Sequence, residues 1–504
     1  PDLERTAIAM VVNGPEAFTP DGEFILGESS VAGLWVAAGF CVHGLAGAGG
    51  VGKSLAEWIV SGLPELDMSG MDIRRFGAQF GSARHAKTKA LDAYSKYYDI
   101  VRPHEERSAG RPLRRSPAFP RLAALRTAWG EKAGWERPNW VSANDDGDES
   151  ERPAGWAGAE WSPAVAVECR AVRDAAALFD QSSFAKLDVR GPGALSGLQR
   201  IVSGDLDRPV GRLVYTQMLN ARGGIEADVT VTRLGEQHFR VTTGTALGTR
   251  DRQWLLRNLP GDGSTVVSDL TGAEACFCLW GPAARSILQP LTDSSLAPDD
   301  FPFLSMADLF AGGVPVRAQR VTFVGELGWE LYCPVEYGLT LWDLLWEAGR
   351  EHELLAGGYR AIDSLRLEKG YRVWGSDIDP STTPDEAGLS FAVAIDKPGG
   401  FIGREALIAA REAGGSGRRL RCLTIDDPRE VMLGTEPVRI DGELAGRVTS
   451  GGRGHRTGLS VAYAYLPSAV EEGRPVEVGS FGRWVPAAVA PEPLYDPAGE
   501  RIRA

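Results

Sequence analysis

The sequence is poor in cysteine, histidine and lysine. Its six cysteines, at 41, 169, 276, 278, 333 and 422, form no C-x-x-C pair and no zinc-ligand spacing. That excludes a disulfide framework and a structural metal site and suits a reducing compartment, so a cytoplasmic location and no bound metal are expected. The six histidines are as dispersed as the cysteines. Basic residues number 54 against 67 acidic ones, a net charge of -13, which argues against a nucleic-acid or anionic-membrane surface. The longest uncharged stretch, Val31 to Val51, contains six glycines and lacks positively charged flanks, so it reads as a strand and a glycine turn, not a membrane span. No signal peptide opens the chain, and it begins at Pro1 without a methionine, as processing or truncation upstream would leave it.

What is present is ample material for a core. With 504 residues, 43% hydrophobic and 24% charged, the chain exceeds what one core usually organises. Two breaker-rich stretches, Asn144 to Pro153 and Glu412 to Arg419, mark boundaries. The expected fold is α+β and multidomain: an α/β region over 1–80, a central or linker region over 81–150, a mixed region over 151–410, and a small β-barrel over 411–504. Strand fragments are read at Ile8 to Val12 and Leu34 to Gly39, helices at Gly52 to Val60 and Ala83 to Tyr98, and a surface connection at Arg102 to Pro120. Leu213 to Leu219 and Ile225 to Thr232, separated by Asn220-Ala-Arg-Gly-Gly224, read as a β-hairpin. The two-residue alternation puts Val229 and Val231 on one face and Asp228 and Thr230 on the other.

Gly47-Ala-Gly-Gly-Val-Gly-Lys-Ser54 satisfies both the phosphate-loop and the dinucleotide patterns. Neither context follows: there is no strand-end aspartate for magnesium nearby, and no second strand after the helix. A helix N-terminus with bare amides, suited to an anion or an electron-rich ring edge, is what remains, beside the plainer reading of a glycine turn packed on a sheet.

His43 to Ile59, with Gly33 to Phe40, Asp72 to Phe76 and Tyr94 to Ile100, resembles the later part of the flavoprotein amine oxidase module of dimethylglycine and sarcosine dehydrogenases. The resemblance implies that His43, Gly44, Leu45 and Ala46 lie beside the flavin ring of FAD and that Gly47 opens the next helix. It also implies that a segment preceding Pro1 holds the rest of the FAD. Phe179 to Lys186, Tyr215 to Asn220, Gly223 to Asp228, Gly325 to Glu330, Asp363 to Tyr371, Val448 to Gly452 and Glu492 to Pro497 are similar to the aminomethyltransferase (glycine-cleavage T-protein) module fused to those enzymes. That resemblance implies a three-domain, tetrahydrofolate-binding ring ending in the barrel. It makes Asp228 the catalytic acid and Tyr215, Thr230, Phe323, Glu330 and Tyr371 folate-binding residues, with Glu330 the pterin anchor. Where free T-proteins have an arginine toward the folate tail this chain has Ile362, which implies either weaker tail binding or another residue in its place, with Arg366 and Arg360 the candidates.

The function so implied is FAD-dependent oxidation of an N-methyl amine, of the dimethylglycine or sarcosine type, with capture of the one-carbon unit on tetrahydrofolate as 5,10-methylenetetrahydrofolate. Implied partners are the methylated amine, tetrahydrofolate, and an electron acceptor or a separate FAD-domain chain, without nucleic acid or membrane. Two rivals stay open: a stand-alone folate-dependent aminomethyl or methyl transferase subunit, and a non-catalytic folate-binding module.

Overall fold

Two compact units share the chain in the computed structural model, which describes residues 6–11 and 13–504. Unit 1 comprises residues 1–101 and 108–110, and unit 2 comprises 102–107 and 111–504.

In unit 1 a short antiparallel pair, β1 (Ile25–Glu28) and β2 (Trp35–Ala38), is followed by helix α1 (Gly44–Ser61) and helix α2 (Ala83–Ser95). Residues 8–11 form no strand, contrary to expectation, and Val12 lies outside the described residues. Helix α1 begins eight residues earlier than read from the sequence. Five glycines between 44 and 52 lower helix propensity enough to suggest a loop, yet the segment is helical from Gly44. Lys53 therefore sits inside a helix and pairs with Glu65 at 2.7 Å, so the phosphate-loop pattern is accidental in form. On this helix Trp58 packs edge-on against Trp35, whereas Ile59 is half exposed.

Unit 2 opens with a hairpin, β3 (Thr127–Lys132) and β4 (Trp135–Val141). The preceding connection is less superficial than expected, because Ser116 and Ala118 are buried and the Ser116 hydroxyl donates to Asp180. Eleven strands then divide between two sheets: β5 (Ala177–Asp180), β6 (Ala185–Arg190), β7 (Leu213–Leu219), β8 (Ile225–Gly235), β9 (His238–Thr243), β10 (Val266–Asp269), β11 (Glu274–Trp280), β12 (Met306–Ala311), β13 (Val314–Gln319), β14 (Gly328–Pro334) and β15 (Leu355–Gly357). One sheet has the order β10-β6-β9-β8-β7 and the other β12-β13-β14-β11-β5-β15. Helix α3 (Tyr359–Lys369) packs Ala361, Ile362 and Leu365 with Cys276 and Cys278 of β11. The last six strands, β16 (Arg418–Ile425), β17 (Pro437–Ile440), β18 (Glu443–Arg453), β19 (Ser460–Pro467), β20 (Pro475–Ser480) and β21 (Arg483–Ala490), close the expected barrel around Leu423, Val448, Ala464 and Val478.

The first sheet has one apolar face and one dense in polar groups, whereas the second packs apolar side chains on both faces and sets Gln319, Glu330 and Tyr332 on the face shared by Cys276, Cys278 and Trp280. In the first, Leu187, Val189, Ala227, Val229, Val231, Phe239 and Val241 join a core with Leu198 and Leu255 from covering helices. In the second, Phe277, Leu279, Trp329 and Leu331 do the same with Leu341, Trp342 and Leu345. Their other faces carry Lys186, Asp188, Gln217, Asp228, Thr230, Thr232, Arg240 and Thr242, and Gln319, Glu330 and Tyr332. These polar faces meet: the Arg240 guanidinium lies 6.0 Å from the Tyr332 ring centre, and Arg240 pairs with both Asp188 and Glu274. Polar strand faces normally look at water, but Lys186, Gln217, Arg240 and Gln319 are fully buried.

Candidate functional site

The hairpin that carries Asp228 is fixed by its loop. Asn220 and Gly224 close it backbone to backbone at 2.9 Å, the Asn220 side-chain oxygen accepts the Arg222 and Gly224 amides at 3.0 Å, and Gly223 takes φ +82°, where a side chain would be strained. The register sets Tyr215 opposite Thr230 and Gln217 opposite Asp228. Gln217 donates its amide to an Asp228 carboxylate oxygen at 3.0 Å, and the Tyr215 phenol lies close enough to Asp228 to act on it electrostatically. Asp228 retains some accessible surface although protein surrounds it. Burial raises its pKa to about 6, opposed by Gln217 and Tyr215 and reinforced by the nearby charge of Asp251. Burial and the Asp228 charge raise the Tyr215 phenol well above its usual value, so Tyr215 remains a donor. A carboxyl group titrating near neutrality can both take and return a proton.

Glu330 lies on β14 between Gln319 and Cys278. It faces away from the core that holds Trp329 and Leu331, as the alternation requires, yet it is buried rather than solvated. The Tyr332 hydroxyl donates to it at 2.6 Å. Burial raises its pKa to about 7, with Tyr332 and the Lys186 ammonium acting in the opposite direction. Lys186 acts electrostatically on Glu330 of the other sheet, and Lys186, Thr242, Thr230 and Tyr215 are successive register partners across β6, β9, β8 and β7. Three strand spacings, about 14 Å, thus separate the Lys186 end from the Tyr215 end.

Phe323 stacks on Tyr371 with ring centres 5.6 Å apart and 22° between planes. Tyr371 follows Gly370, the left-handed C-cap of α3 at φ +76°, and burial with the Asp496 charge lifts its phenol to about 12. Its neighbour Arg372 pairs with Glu492 and acts electrostatically on Tyr215. Of the two arginines considered for a folate tail, Arg366 is committed to Asp377 at 2.6 Å, whereas Arg360 pairs with no carboxylate among the described residues. Gln217, Tyr332 and Lys186 were not singled out from the sequence. Counting across the hairpin loop could have found Gln217, and the two-residue step from Glu330 could have found Tyr332. Lys186, on a strand of the other sheet, left no local signal.

The expected flavin residues lie in unit 1. His43 is the N-cap of α1 and contributes no side-chain cap, Gly44, Leu45 and Ala46 form the first turn, and Leu45 is 99% exposed. Gly47 is not the helix start: it lies in the first turn's continuation, and its amide donates to the His43 carbonyl at 2.8 Å. The free amides are those of Gly44, Leu45 and Ala46. Among the described residues, no cluster of His, Cys, Asp or Glu could hold a metal ion, and no helix is long and apolar enough to cross a membrane.

Residues 118–397 match the GCVT N-terminal domain and residues 418–496 the glycine cleavage T-protein C-terminal barrel domain. The chain belongs to the glycine cleavage T-protein family. Residues 61–116 match the FAD dependent oxidoreductase central domain. The chain is 38% identical over 514 residues to 4-methylaminobutanoate oxidase (formaldehyde-forming) of Paenarthrobacter nicotinovorans, across 100% of this chain and 61% of that protein. It is 37% identical over 506 residues to human mitochondrial sarcosine dehydrogenase, across 92% of this chain and 55% of that protein. It therefore spans little more than half the length of these relatives. Among solved structures, the aminomethyltransferase T of the glycine cleavage system from Bartonella henselae superposes with a TM-score of 0.66 at 26% identity, covering 76% of this chain and 98% of that one.

Proposed function

We propose that this chain is the folate-linked part of an FAD-dependent N-methyl amine oxidoreductase of the dimethylglycine or sarcosine type, with tetrahydrofolate as the one-carbon acceptor. The observation that carries the reading is the pair of buried carboxyls on facing sheets, Asp228 held near pKa 6 on a hairpin and Glu330 near 7 on the other sheet.

The polar groups around the proposed cavity suit a pterin. Gln181 Nε2, Gln217 Oε1, Thr232 Oγ1, Thr242 Oγ1 and both amide atoms of Gln319 are buried without a protein partner, which disfavours an apolar occupant and suits a ring edged with N–H and C=O groups. Glu330, held by Tyr332, accepts the pterin's amino and ring N–H groups as a fork. Tyr215, Thr230, Phe323 and Tyr371 line the same cavity in this reading. Asp228, oriented by Gln217, takes the N–H proton that a folate nitrogen loses on capturing the iminium carbon. It then returns a proton to the departing amine, so that the two N–H protons of the folate end on the amine. FAD, when bound, supplies the oxidation that makes the iminium. The uncapped amides of Gly44, Leu45 and Ala46, beside His43, suit the electron-rich edge of its ring, with the remainder of the FAD site contributed by a segment or chain beyond these residues. Six unpaired, buried cysteines favour a reducing compartment such as the cytoplasm, although the sarcosine dehydrogenase relative is named as mitochondrial.

The test uses the enzyme with its flavin-bearing part present, following the split of product between formaldehyde and 5,10-methylenetetrahydrofolate. Asp228→Asn should lower the methylene product on the order of 10²-fold and release formaldehyde, with flavin reduction nearly unchanged. An unaltered split would overturn the role of Asp228 and favour a folate-binding module without its own chemistry.

A further inference from the structure

Strand β7 carries Tyr215 and Gln217, yet it is an edge of its sheet, paired along its length with β8 alone. An edge leaves a row of backbone groups without partners, so side chains that must stay in place need something to hold the open side. Here Val202 to Gly204 does so. The Ser203 amide donates to the Gln217 carbonyl at 2.8 Å, the Gly204 amide donates to the Thr216 hydroxyl at 2.7 Å, and Val202 forms a single antiparallel bridge with Met218. These three residues follow the helix Ala194–Ile201 and form no helix or strand of their own.

What fastens this segment is Lys397. Its ammonium donates to the Val202 carbonyl at 2.5 Å, to the Gly204 carbonyl at 2.7 Å and to the Gln199 side-chain oxygen at 3.3 Å, and it lies 5.1 Å from the centre of the Phe401 ring. The loop that carries it is tied to the same place, since the Ala394 amide donates to the Ser203 carbonyl at 2.9 Å. Among the described residues no carboxylate lies within 4.0 Å of this ammonium, although the side chain is only 7% exposed. Burial lowers its pKa to about 7, with the Asp205 charge acting the other way. An enclosed ammonium held by carbonyls alone is costly, and an apolar side chain could fill the same space. What the ammonium adds is direction. The Val202 carbonyl and the Ser203 amide are the two ends of one planar peptide group, so the lysine on one side and Gln217 on the other fix how that group is turned.

We infer that Lys397 is a positioning residue for the one-carbon transfer: through the Val202–Ser203 peptide it fixes the backbone of Gln217, and with it the side-chain amide that Gln217 offers to Asp228. This rests on the role given to Asp228 above. Lys397 acts through Gln217 and not on the folate.

The test uses the enzyme with its flavin-bearing part present, following the split between 5,10-methylenetetrahydrofolate and formaldehyde beside the affinity for 5-formyltetrahydrofolate. Lys397→Met should shift the split toward formaldehyde about tenfold, with folate affinity within about twofold and flavin reduction unchanged. Gln217→Met should shift the split by itself, and adding Lys397→Met to it should shift the split no further, because the two act in series. The apparent pKa of methylene formation should also rise in Lys397→Met, since the Gln217 bond that holds Asp228 down is loosened while Tyr215 and Asp251 stay in place. A loss of stability alone would not move it. Lys397→Gln serves the same comparison should Lys397→Met not fold. An unmoved split in a Lys397 variant that binds folate, or effects of Lys397→Met and Gln217→Met that multiply, would overturn the inference while Asp228→Asn still alters the split. If Asp228→Asn leaves the split unaltered, the reading of Asp228 fails and this inference falls with it.

Discussion

The two units differ in how they treat their apolar surface. Unit 2 closes four large hydrophobic clusters around two sheets and a barrel, and turns two polar sheet faces inward onto each other. Unit 1, among its described residues, buries only Leu26, Cys41, Pro64 and Ala93 of its apolar side chains, while Leu45, Val60 and Tyr98 are 99%, 85% and 81% exposed. A self-contained core can hold buried polar groups at fixed distances, which is what proton transfer and pterin binding demand. A unit with so few enclosed side chains offers backbone amides and open surface instead. In the function proposed above, the precise chemistry falls to unit 2.

That contrast breaks most visibly in stability. Trp329→Ala removes a fully buried ring from the second sheet and should cost about 3 to 5 kcal/mol in denaturant unfolding of unit 2. Leu45→Ala should change stability by less than about 0.5 kcal/mol. Similar costs for both would mean that Leu45 is covered in solution and that the units do not differ as described.

The inward polar faces predict a pH dependence with a definite sign. Asp228 and Glu330 have folded pKa values raised to about 6 and 7, above their unfolded values, so the folded state holds their protons more tightly. Their stabilising contribution is fully present below pH 4 and is lost as pH rises through 6 and 7. Thermal unfolding of the ligand-free chain should therefore fall in midpoint between pH 5 and 8, and Asp228→Asn combined with Glu330→Gln should flatten the decline. Glu168, raised by burial to about 8 while it accepts the Val141 and Gly358 amides, should leave a residual slope. The smallest effect belongs to unit 1. Lys53→Ala removes an exposed helix ion pair and should leave Mg-ATP binding at background in calorimetry, as for the unaltered chain.

Much of unit 2 was legible in the sequence because period-two alternation and turn chemistry are local. The hairpin around Asp228, the outward aim of Glu330 relative to Trp329 and Leu331, the Gly370 cap and the final barrel all follow from short patterns. What no local pattern could supply is what faces a polar strand surface. Glu330 and Lys186 read as ordinary solvated residues until a second sheet is placed opposite them, and the isolation of Arg360 from any carboxylate appears only once Arg366 is seen to be taken by Asp377. The start of α1 was hidden for another reason: glycine weakens a helix by roughly 1 kcal/mol each relative to alanine, and five of them in nine residues outweigh the pattern around them.

The central claim is that the two inward carboxyls divide the work, Glu330 binding and Asp228 reacting. Titration of 5-formyltetrahydrofolate into the unaltered chain, Glu330→Gln and Asp228→Asn tests it most directly. One site should appear in the unaltered chain; Glu330→Gln should weaken it by about 1 to 3 kcal/mol, and Asp228→Asn should leave the affinity within about tenfold. Equal losses in the two variants, or none in Glu330→Gln, would contradict the division.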